Sequence, residues 1–300
     1  MATDGGPTIG VVVHPRRNID NALGAARTWS ERRGGRLVQI AIDGQERRVA
    51  DLAEAEDTDL VLAVGGDGTV LAALHATETA GVPVLGIACG SLGALTSVKA
   101  DAMDAALDRF ATGEWEPRGL PALRVERDGE QLGTAFNDLV LVRRGAGQVI
   151  LDIDVDGKTY ARVAGDGVVV ATPQGSSAYT LASGGPLIAH STDALVITPL
   201  APHGGSVPSV VLPGEGKVRI GVDSGWSGAR IEIDGRVVAV EEPQGEQSPF
   251  ELEATLCPGA ATLLDFDGET LIEGLRRRGV IADSPRLRMR DNRASAAKKS

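Results

Sequence analysis

The chain has 300 residues, 42% of them hydrophobic, and a formal net charge of −11 at pH 7. This length is sufficient for two ordinary domains. The negative charge argues against a nucleic-acid-binding protein, because such proteins neutralise the phosphate backbone with Lys and Arg side chains.

The sequence also indicates the compartment. No apolar stretch approaches the roughly 20 residues that a membrane-spanning helix needs, and residues 1–8 lack the basic and apolar regions of a signal peptide. Cys89 and Cys257 are far apart in sequence and show neither metal-ligand nor redox spacing. We therefore expect a cytoplasmic protein that binds neither membranes nor nucleic acids.

Strands and helices alternate in the first third of the sequence. Apolar runs predict strands at residues 9–13, 37–42, 60–64 and 82–87, and helical spacing predicts helices after residue 18, at 47–56, from residue 70 and at 101–112. This order indicates a doubly wound parallel sheet, whose ligands bind at the carboxyl ends of the strands.

The most informative stretch follows the third strand and reads Gly65, Gly66, Asp67, Gly68 and Thr69. The three glycines allow positive φ and close approach of a ligand, and the helix start that follows them attracts phosphate. Asp67 would repel a bound phosphate unless it takes a proton or coordinates a cation. We interpret Asp67 as a catalytic or Mg²⁺-linked group, and the other interpretation is a carboxylate that caps the helix.

Near residue 115 the pattern changes to short strands separated by turns, which predicts a second, mainly β domain. Four Asp-Gly pairs, at residues 128–129, 156–157, 234–235 and 267–268, predict tight turns in which the Asp serves the turn. Residues 269–278 predict a last helix that packs on the first domain. The basic residues 285–300 predict a disordered tail.

A second group of polar residues lies at 165–186. A Gly-Asp-Gly triplet containing Asp166 precedes a strand at 168–171, which opens into a loop rich in Ser, Thr and Gly. Such a loop offers neutral hydrogen-bonding groups to ribose and phosphate oxygens, and Tyr179 adds a flat face for a base. The other interpretation is a polar loop that satisfies its own backbone.

These motifs resemble those of the NAD kinase family. The stretch 65–69 is similar to the signature of the NAD kinase and diacylglycerol kinase superfamily, and residues 165–186 are similar to the NAD kinase pattern itself. Three further stretches, 87–96, 136–138 and 198–208 with His203, resemble its Gly-x-Leu-Gly loop, its Asn-Glu element and its Pro-His segment. Lipid kinases share the first motif but not the Ser-Ala-Tyr loop.

The resemblance implies an α/β plus all-β architecture. We expect a doubly wound α/β domain at residues 1–114, a β-sandwich-like domain at 115–256, a return segment and helix at 257–284, and the tail at 285–300. It also implies substrate in the cleft between the domains and a homodimer or homotetramer. The implied phosphoryl donor is ATP, or polyphosphate in some members, with a divalent metal, Mg²⁺, for which no ligand is assigned.

The resemblance further implies roles for single residues in a reaction that phosphorylates NAD to NADP. Asp67 would accept the proton of the 2′-hydroxyl of the adenosine ribose, and the phosphate loop would be Gly65, Gly66, Gly68 and Thr69. Asn137 and Asp138 would hold ribose hydroxyls, and Asp166 would meet the nicotinamide side. The residues that would contact the nucleotide are Ser177, Ala178, Tyr179 and Thr180.

Several positions depart from the family pattern, namely Ala88, Ala94, Asp138, Ala182 and Arg236. We expect all of them on the acceptor side, so an alternative is a diverged enzyme that phosphorylates another hydroxyl acceptor, such as a nucleoside or nucleoside-like metabolite. A non-enzymatic nucleotide sensor is a third possibility, against which the intact Asp67 argues. A lipid kinase is disfavoured because no membrane-binding segment is evident.

Overall fold

The computed structural model describes residues 6–42, 44–240, 249–266 and 271–290. Its strands are β1 (Thr8–Val13), β2 (Arg36–Ile40), β3 (Leu52–Ala53), β4 (Leu60–Gly65), β5 (Val84–Ala88), β6 (Val98–Lys99), β7 (Glu116–Arg127), β8 (Glu130–Ala135), β9 (Asp138–Arg143), β10 (Val149–Val155), β11 (Lys158–Gly165), β12 (Gly167–Ala171), β13 (Ala194–Leu200), β14 (Val210–Pro213), β15 (Lys217–Asp223), β16 (Ala229–Ile233), β17 (Arg236–Val240) and β18 (Phe250–Asp265). Its α-helices are α1 (Asp20–Arg32), α2 (Asp67–Thr77), α3 (Met103–Thr112), α4 (Tyr179–Ala182) and α5 (Leu271–Arg277).

The first part of the chain forms a parallel sheet with strand order β3-β2-β1-β4-β5. Successive side chains of a strand point to opposite faces. Thus Val11 of β1 packs in a core with α1 and α3, whereas Val12 packs in a second core with α2. Helices on both faces explain why these strands are continuous apolar runs, and the predicted doubly wound α/β architecture is confirmed.

The second part is a sandwich of antiparallel strands. One sheet has the order β14-β13-β12-β9-β16-β17, and facing it lie β7, β8, β10, β11, β15 and the first part of β18. The core between the two layers contains Leu141 and Val170 from one side and Ile153, Ile220 and Leu252 from the other, all essentially inaccessible to solvent. The predicted β-sandwich-like domain is confirmed.

The long strand β18 joins the two parts. Its first half pairs with β15 and β7, and Leu263 near its end pairs in parallel with Val84 of β5. The boundary that the sequence predicts after residue 256 therefore falls inside a continuous strand. Since β18 pairs with strands of both parts, it connects the parallel sheet to the sandwich.

Two local predictions differ from the structure. Residues 47–56 do not form the predicted helix, because the buried Gln39 side chain donates to the Arg47 carbonyl (2.8 Å) and accepts the Val49 N–H (2.7 Å), which holds the segment extended. Residues 285–290 are helical and exposed, although we expected them to belong to a disordered tail. The rest of that tail lies outside the described residues.

Three predicted turns are confirmed. Asp128, Asp156 and Asp234 have φ of 49°, 49° and 51°, and the glycine after each also has positive φ. The fourth Asp-Gly pair, at 267–268, lies outside the described residues. In the described part of the chain, no helix is both long and apolar enough to cross a bilayer.

Candidate active site

A cavity of about 350 Å³ opens at the carboxyl ends of β1 and β4. It is lined by the loop after β1, by the start of α2 and by Arg236 at the start of β17. We call it the phosphate-loop cavity. Because Arg236 belongs to the sandwich and the other residues to the parallel sheet, this cavity lies between the two parts of the chain.

The glycine-rich loop connects β4 directly to α2. The N-cap of α2 is Gly66, and no side chain makes a cap hydrogen bond, so the interpretation of Asp67 as a helix cap is wrong. None of the three loop glycines has positive φ. Gly65 is required for a different reason, since a Cβ there would lie 2.2 Å from Thr69 Oγ1. A Cβ on Gly68 would meet nothing within 4 Å, so the start of α2 is open to a ligand.

The carboxylate of Asp67 is held by the second small-residue loop. Oδ2 accepts the Ala94 N–H (2.8 Å) and Oδ1 accepts the Leu95 N–H (3.0 Å). A Cβ on Gly93 would lie 2.0 Å from Oδ1, so only glycine leaves room for the carboxylate. The Gly-x-Leu-Gly loop thus fixes the orientation of Asp67, and the two loops predicted to share one sheet edge are in contact.

The cavity that contains this carboxylate has a basic lining. Arg17 and Arg236 line the phosphate-loop cavity, and Arg17 Nη1 lies 3.4 Å from the point where a Cβ on Gly66 would stand. His14 lines it too, and burial together with the charges of Arg17, Arg47 and Arg16 lowers the pKa of its imidazole. Its Nδ1 accepts the N–H groups of Arg16 and Arg17, both at 3.1 Å, which shapes the loop. Sequence reasoning gave His14 and Arg17 no role, although basic residues directly after a buried strand were a usable signal.

Asp234 holds the backbone of residues 136–138. Its carboxylate accepts the backbone N–H groups of Phe136 (2.9 Å), Asn137 (2.7 Å) and Asp138 (3.1 Å). Its Oδ2 also lies 2.9 Å from Nε2 of His75 on α2. Asp234 therefore does more than serve a turn, because it ties residues 136–138 to the helix that starts at the phosphate loop. Sequence reasoning missed both Asp234 and His75, and no local pattern links two residues so far apart.

Asp138 lies in an unusual electrostatic environment. Its side chain is buried, and burial together with the nearby charges of Asp234 and Glu232 raises its pKa to about 7, although a hydrogen bond from the Tyr179 backbone opposes the shift. Asp138 is thus poised to exchange a proton near neutral pH.

The loop at 172–180 partly satisfies its own backbone and partly remains available to a ligand. The hydroxyls of Thr172, Ser176 and Ser177 donate to carbonyls of nearby backbone, so they largely satisfy the protein itself. Thr180 is fully buried, whereas Ala178 is exposed and the Tyr179 side chain is 40% exposed. Tyr179 is therefore the member of this loop that can present a flat face to a base.

Asp166 lies apart from this cluster. It precedes β12, whereas Asp138 pairs with Ala171 at the other end of that strand, so their backbones are about 16 Å apart along the strand at about 3.3 Å per residue. Arg143 Nε donates to Asp166 at 2.5 Å. Asn137 and Asp138 are linked through Asp234 to His75 on α2, the helix that begins at Asp67. The Tyr179 backbone donates to Asp138, whereas Asp166 lies at the other end of β12.

The departures from the family pattern are not all on the acceptor side. Arg236 lines the phosphate-loop cavity, which corrects that prediction. Ala94 lines a second cavity behind the Gly-x-Leu-Gly loop, and its N–H binds Asp67. Ala88 is buried at the end of β5 opposite Gly65, and Ala182 is exposed at the end of α4.

Comparison with known proteins decides the family. The model of the ATP-NAD kinase N-terminal domain matches residues 10–115, and that of the C-terminal domain matches residues 136–248. The chain belongs to the ATP-NAD kinase family. A NAD kinase of Clostridium beijerinckii is 33% identical over 238 residues, which are 76% of this chain and 81% of that protein. A NAD kinase of Heliobacterium modesticaldum is 32% identical over 244 residues, 77% of this chain and 85% of that protein.

Two solved structures share the fold. Yeast NADH kinase complexed with NADH has a TM-score of 0.78 at 19% identity and covers 94% of this chain and 89% of its own. A NAD kinase from Archaeoglobus fulgidus in complex with ATP has a TM-score of 0.71 at 21% identity, and the match covers 90% of this chain and 99% of that structure. Membership of the ATP-NAD kinase family confirms the predicted resemblance and the predicted enzyme class, a phosphotransferase with an alcohol group as acceptor.

Proposed function

We propose that this protein transfers the terminal phosphoryl group of ATP to the 2′-hydroxyl of the adenosine ribose of NAD, giving NADP. The observation that carries the proposal is the Asp67 carboxylate, held by two backbone N–H groups at an open helix start. The relatives named NAD kinase support NAD as acceptor and do not favour the alternative of a nucleoside acceptor.

The phosphate-loop cavity is suited to the donor. The N–H groups at the start of α2 and the side chains of Arg17 and Arg236 offer hydrogen bonds and positive charge to phosphate oxygens. Phosphoryl transfer depends mainly on positioning and on neutralising charge. The Archaeoglobus fulgidus NAD kinase in complex with ATP supports ATP as the donor.

Asp67 is the group that accepts the proton. A general base must lie within hydrogen-bonding reach of the hydroxyl, and the two N–H bonds hold this carboxylate in one orientation at the mouth of the cavity. The acceptor side is formed by Asn137, Asp138 and Tyr179, with the raised pKa of Asp138 giving it a proton to donate below about pH 7.

The residues present fit a divalent cation, Mg²⁺. This ion takes oxygen ligands from one or two carboxylates together with substrate phosphates. Asp67 is the carboxylate at the phosphate loop, and the described residues hold no group of three or more acidic, His or Cys side chains placed to bind a metal by themselves. When bound, the ion supplies charge neutralisation at the transferred phosphoryl group.

The remaining expectations belong to the same proposal. Asp166 meets the nicotinamide side either through a dinucleotide extended along β12 or from a second subunit, and the second case requires the homodimer or homotetramer that the resemblance implies. The protein acts in the cytoplasm, as its cysteine content indicates.

An ADP-release assay with NAD, NADH and a panel of nucleosides tests the proposal. Asp67→Asn should lower turnover of NAD by about 10²-fold, the scale for loss of a positioned base. Asp101→Asn, an exposed carboxylate of the same sheet edge, is the matched control and should leave turnover unchanged. Turnover of Asp67→Asn close to that of wild type, or turnover of a nucleoside but not of NAD, would refute the proposal.

A further inference from the structure

A second cavity, of about 260 Å³, lies behind the Gly-x-Leu-Gly loop. We call it the rear cavity. Residues 92 and 94–97 of the loop form one wall, and the end of β18 forms another. Its basic lining residues are Arg118, His190, Arg277 and Arg278. Ala94, which was expected on the acceptor side, is in this lining, but the two cavities share no lining residue, so the rear cavity is distinct from the phosphate-loop cavity.

The rear cavity is strongly basic in a chain whose net charge is −11. Among the described residues that line it, three carry a guanidinium group, one carries an imidazole and one, Asp265, carries a carboxylate. The His190 Nε2 atom is buried and has no hydrogen-bond partner within the described ranges. Burial and the charges of Arg118 and Arg278 lower the pKa of His190 to about 4, so the ring is neutral at pH 7. A neutral imidazole beside arginines indicates a positive potential that an anion would relieve.

The size of the cavity limits the anion. Pockets for drug-sized ligands run from roughly 300 to 1,000 Å³, so a cavity of 260 Å³ is too small for a dinucleotide. It accommodates a phosphate group with a short substituent. Guanidinium groups bind phosphate through paired hydrogen bonds, and a neutral His190 can donate one more through Nε2.

The rear cavity is connected to the catalytic side through one loop. Arg277 donates to the carbonyls of Leu92 (2.6 Å) and Gly93 (3.0 Å). The next two N–H groups of that loop, from Ala94 and Leu95, hold Asp67. A change in the packing of α5 is thus transmitted to the Asp67 carboxylate across a single stretch of backbone.

We propose that the rear cavity binds a small phosphate-bearing anion, and that the bound anion stabilises the Gly-x-Leu-Gly loop in the conformation that holds Asp67. The negative charge of the anion is attracted by the basic lining, which keeps α5 packed on the loop and thereby raises turnover. The effect on turnover rests on the proposed function, whereas the binding itself does not.

Histidine ring NMR of the full chain tests the binding. The chain has four histidines, and the His190 signal is identified by its loss in His190→Gln. Inorganic phosphate, at ionic strength held constant with chloride, should shift the His190 signal with saturation and raise the pKa of His190 toward the ordinary value. His14 lines the phosphate-loop cavity and reports phosphate bound there. A shift of the His14 signal with no shift of the His190 signal, at phosphate concentrations up to about 20 mM and so well above a millimolar Kd, would overturn the proposal.

Two variants on α5 and the segment after it provide the matched pair. Arg278→Gln, in the cavity lining, should weaken phosphate binding by about tenfold. Arg276→Gln removes an exposed arginine that pairs with Asp283 and does not line the cavity, and it should leave binding unchanged. Equal loss in both variants would overturn the assignment. His190→Gln serves as a second lining variant if Arg278→Gln fails to fold.

The source of the phosphate and the coupling are tested separately. Glycerol phosphate is compared with inorganic phosphate, and tighter binding of either identifies the ester or the free ion as the ligand. The better ligand should raise NAD turnover of wild type about twofold or more but not that of Arg278→Gln. Binding at His190 with no change in turnover would overturn the coupling. A protein that lacks NAD kinase activity but whose His190 still responds to phosphate would refute the proposed function and support this site.

Discussion

Replacement of Gly93 by alanine tests how Asp67 is held. The added Cβ would lie 2.0 Å from Asp67 Oδ1 and 2.4 Å from Cγ, both far inside van der Waals contact. The backbone of Gly93 does not have positive φ, so alanine itself is tolerated there and the clash with the carboxylate is the main effect. The carboxylate must therefore move by about 1 Å or more to reach ordinary contact distance.

The expected magnitude follows from this movement. Asp67 would lose one or both hydrogen bonds to Ala94 and Leu95, each of about 1.5–3 kcal/mol because the acceptor is charged. A misplacement of about 1 Å near the reacting atoms costs about 10²-fold in rate, or about 2.7 kcal/mol in the activation barrier. Crowding also lowers the free energy of unfolding by about 1–3 kcal/mol.

The assay is steady-state NAD kinase activity, with ATP affinity from titration calorimetry and stability from urea unfolding. Gly93→Ala should lower kcat by about 10²-fold and change the Kd of ATP little, because the phosphate loop itself is untouched. Gly90→Ala is the control in the same loop, since its Cβ would lie 3.6 Å from Arg17 Nη1, an ordinary contact. A kcat within about threefold of wild type would show that the orientation of Asp67 by this loop is not needed for turnover.

Three further predictions concern Asp234, Asp138 and Tyr179. Asp234→Asn should lower the free energy of unfolding by about 3 kcal/mol and raise the KM for NAD more than that for ATP, because the buried carboxylate holds residues 136–138. The control is Asp156→Asn, at an exposed Asp-Gly turn, which should change neither the free energy of unfolding nor the two KM values. Asp138 has a folded pKa of about 7 against an unfolded value of about 3.9, so its contribution to stability is complete below about pH 4 and is lost as pH rises through 7. The free energy of unfolding of wild type, measured with urea, should therefore fall between about pH 4 and 7 by up to about 4 kcal/mol relative to that of Asp138→Asn. If the two proteins showed the same dependence of unfolding free energy on pH, the raised pKa of Asp138 would be contradicted. Tyr179→Ala should raise the KM for NAD by about tenfold with unchanged ATP affinity by calorimetry, since a partly exposed ring is lost; equal loss of both affinities would indicate a structural role instead.

The features that the sequence alone determined are local ones. A continuous apolar run at β4, followed by glycines and the start of α2, predicts a strand, a phosphate loop and a helix because each element has its own periodicity. The Asp-Gly turns at Asp128, Asp156 and Asp234 are likewise local, since two successive residues with positive φ favour this pair. The position of Asp67 at a ligand-binding edge followed from the rule for parallel sheets.

The same local signals were insufficient where a distant residue decides the outcome. Residues 47–56 have helical spacing, yet the buried Gln39 side chain bonds to this segment and holds it extended. The exposed C-terminal residues 285–290 show the opposite case, with helix in a segment whose composition suggests disorder.

The tertiary structure alone decided how the site is assembled. Asp234 reads as a turn residue, but its carboxylate meets three backbone N–H groups about 100 positions earlier in the chain and His75 on α2. Arg236, the first residue of β17, lines the phosphate-loop cavity although it belongs to the sandwich. Composition and periodicity predict the type of each helix or strand but not its position relative to the others. The distances between elements depend on the burial of their faces against one another, which sets the contacts of side chains such as Asp234 and Arg236.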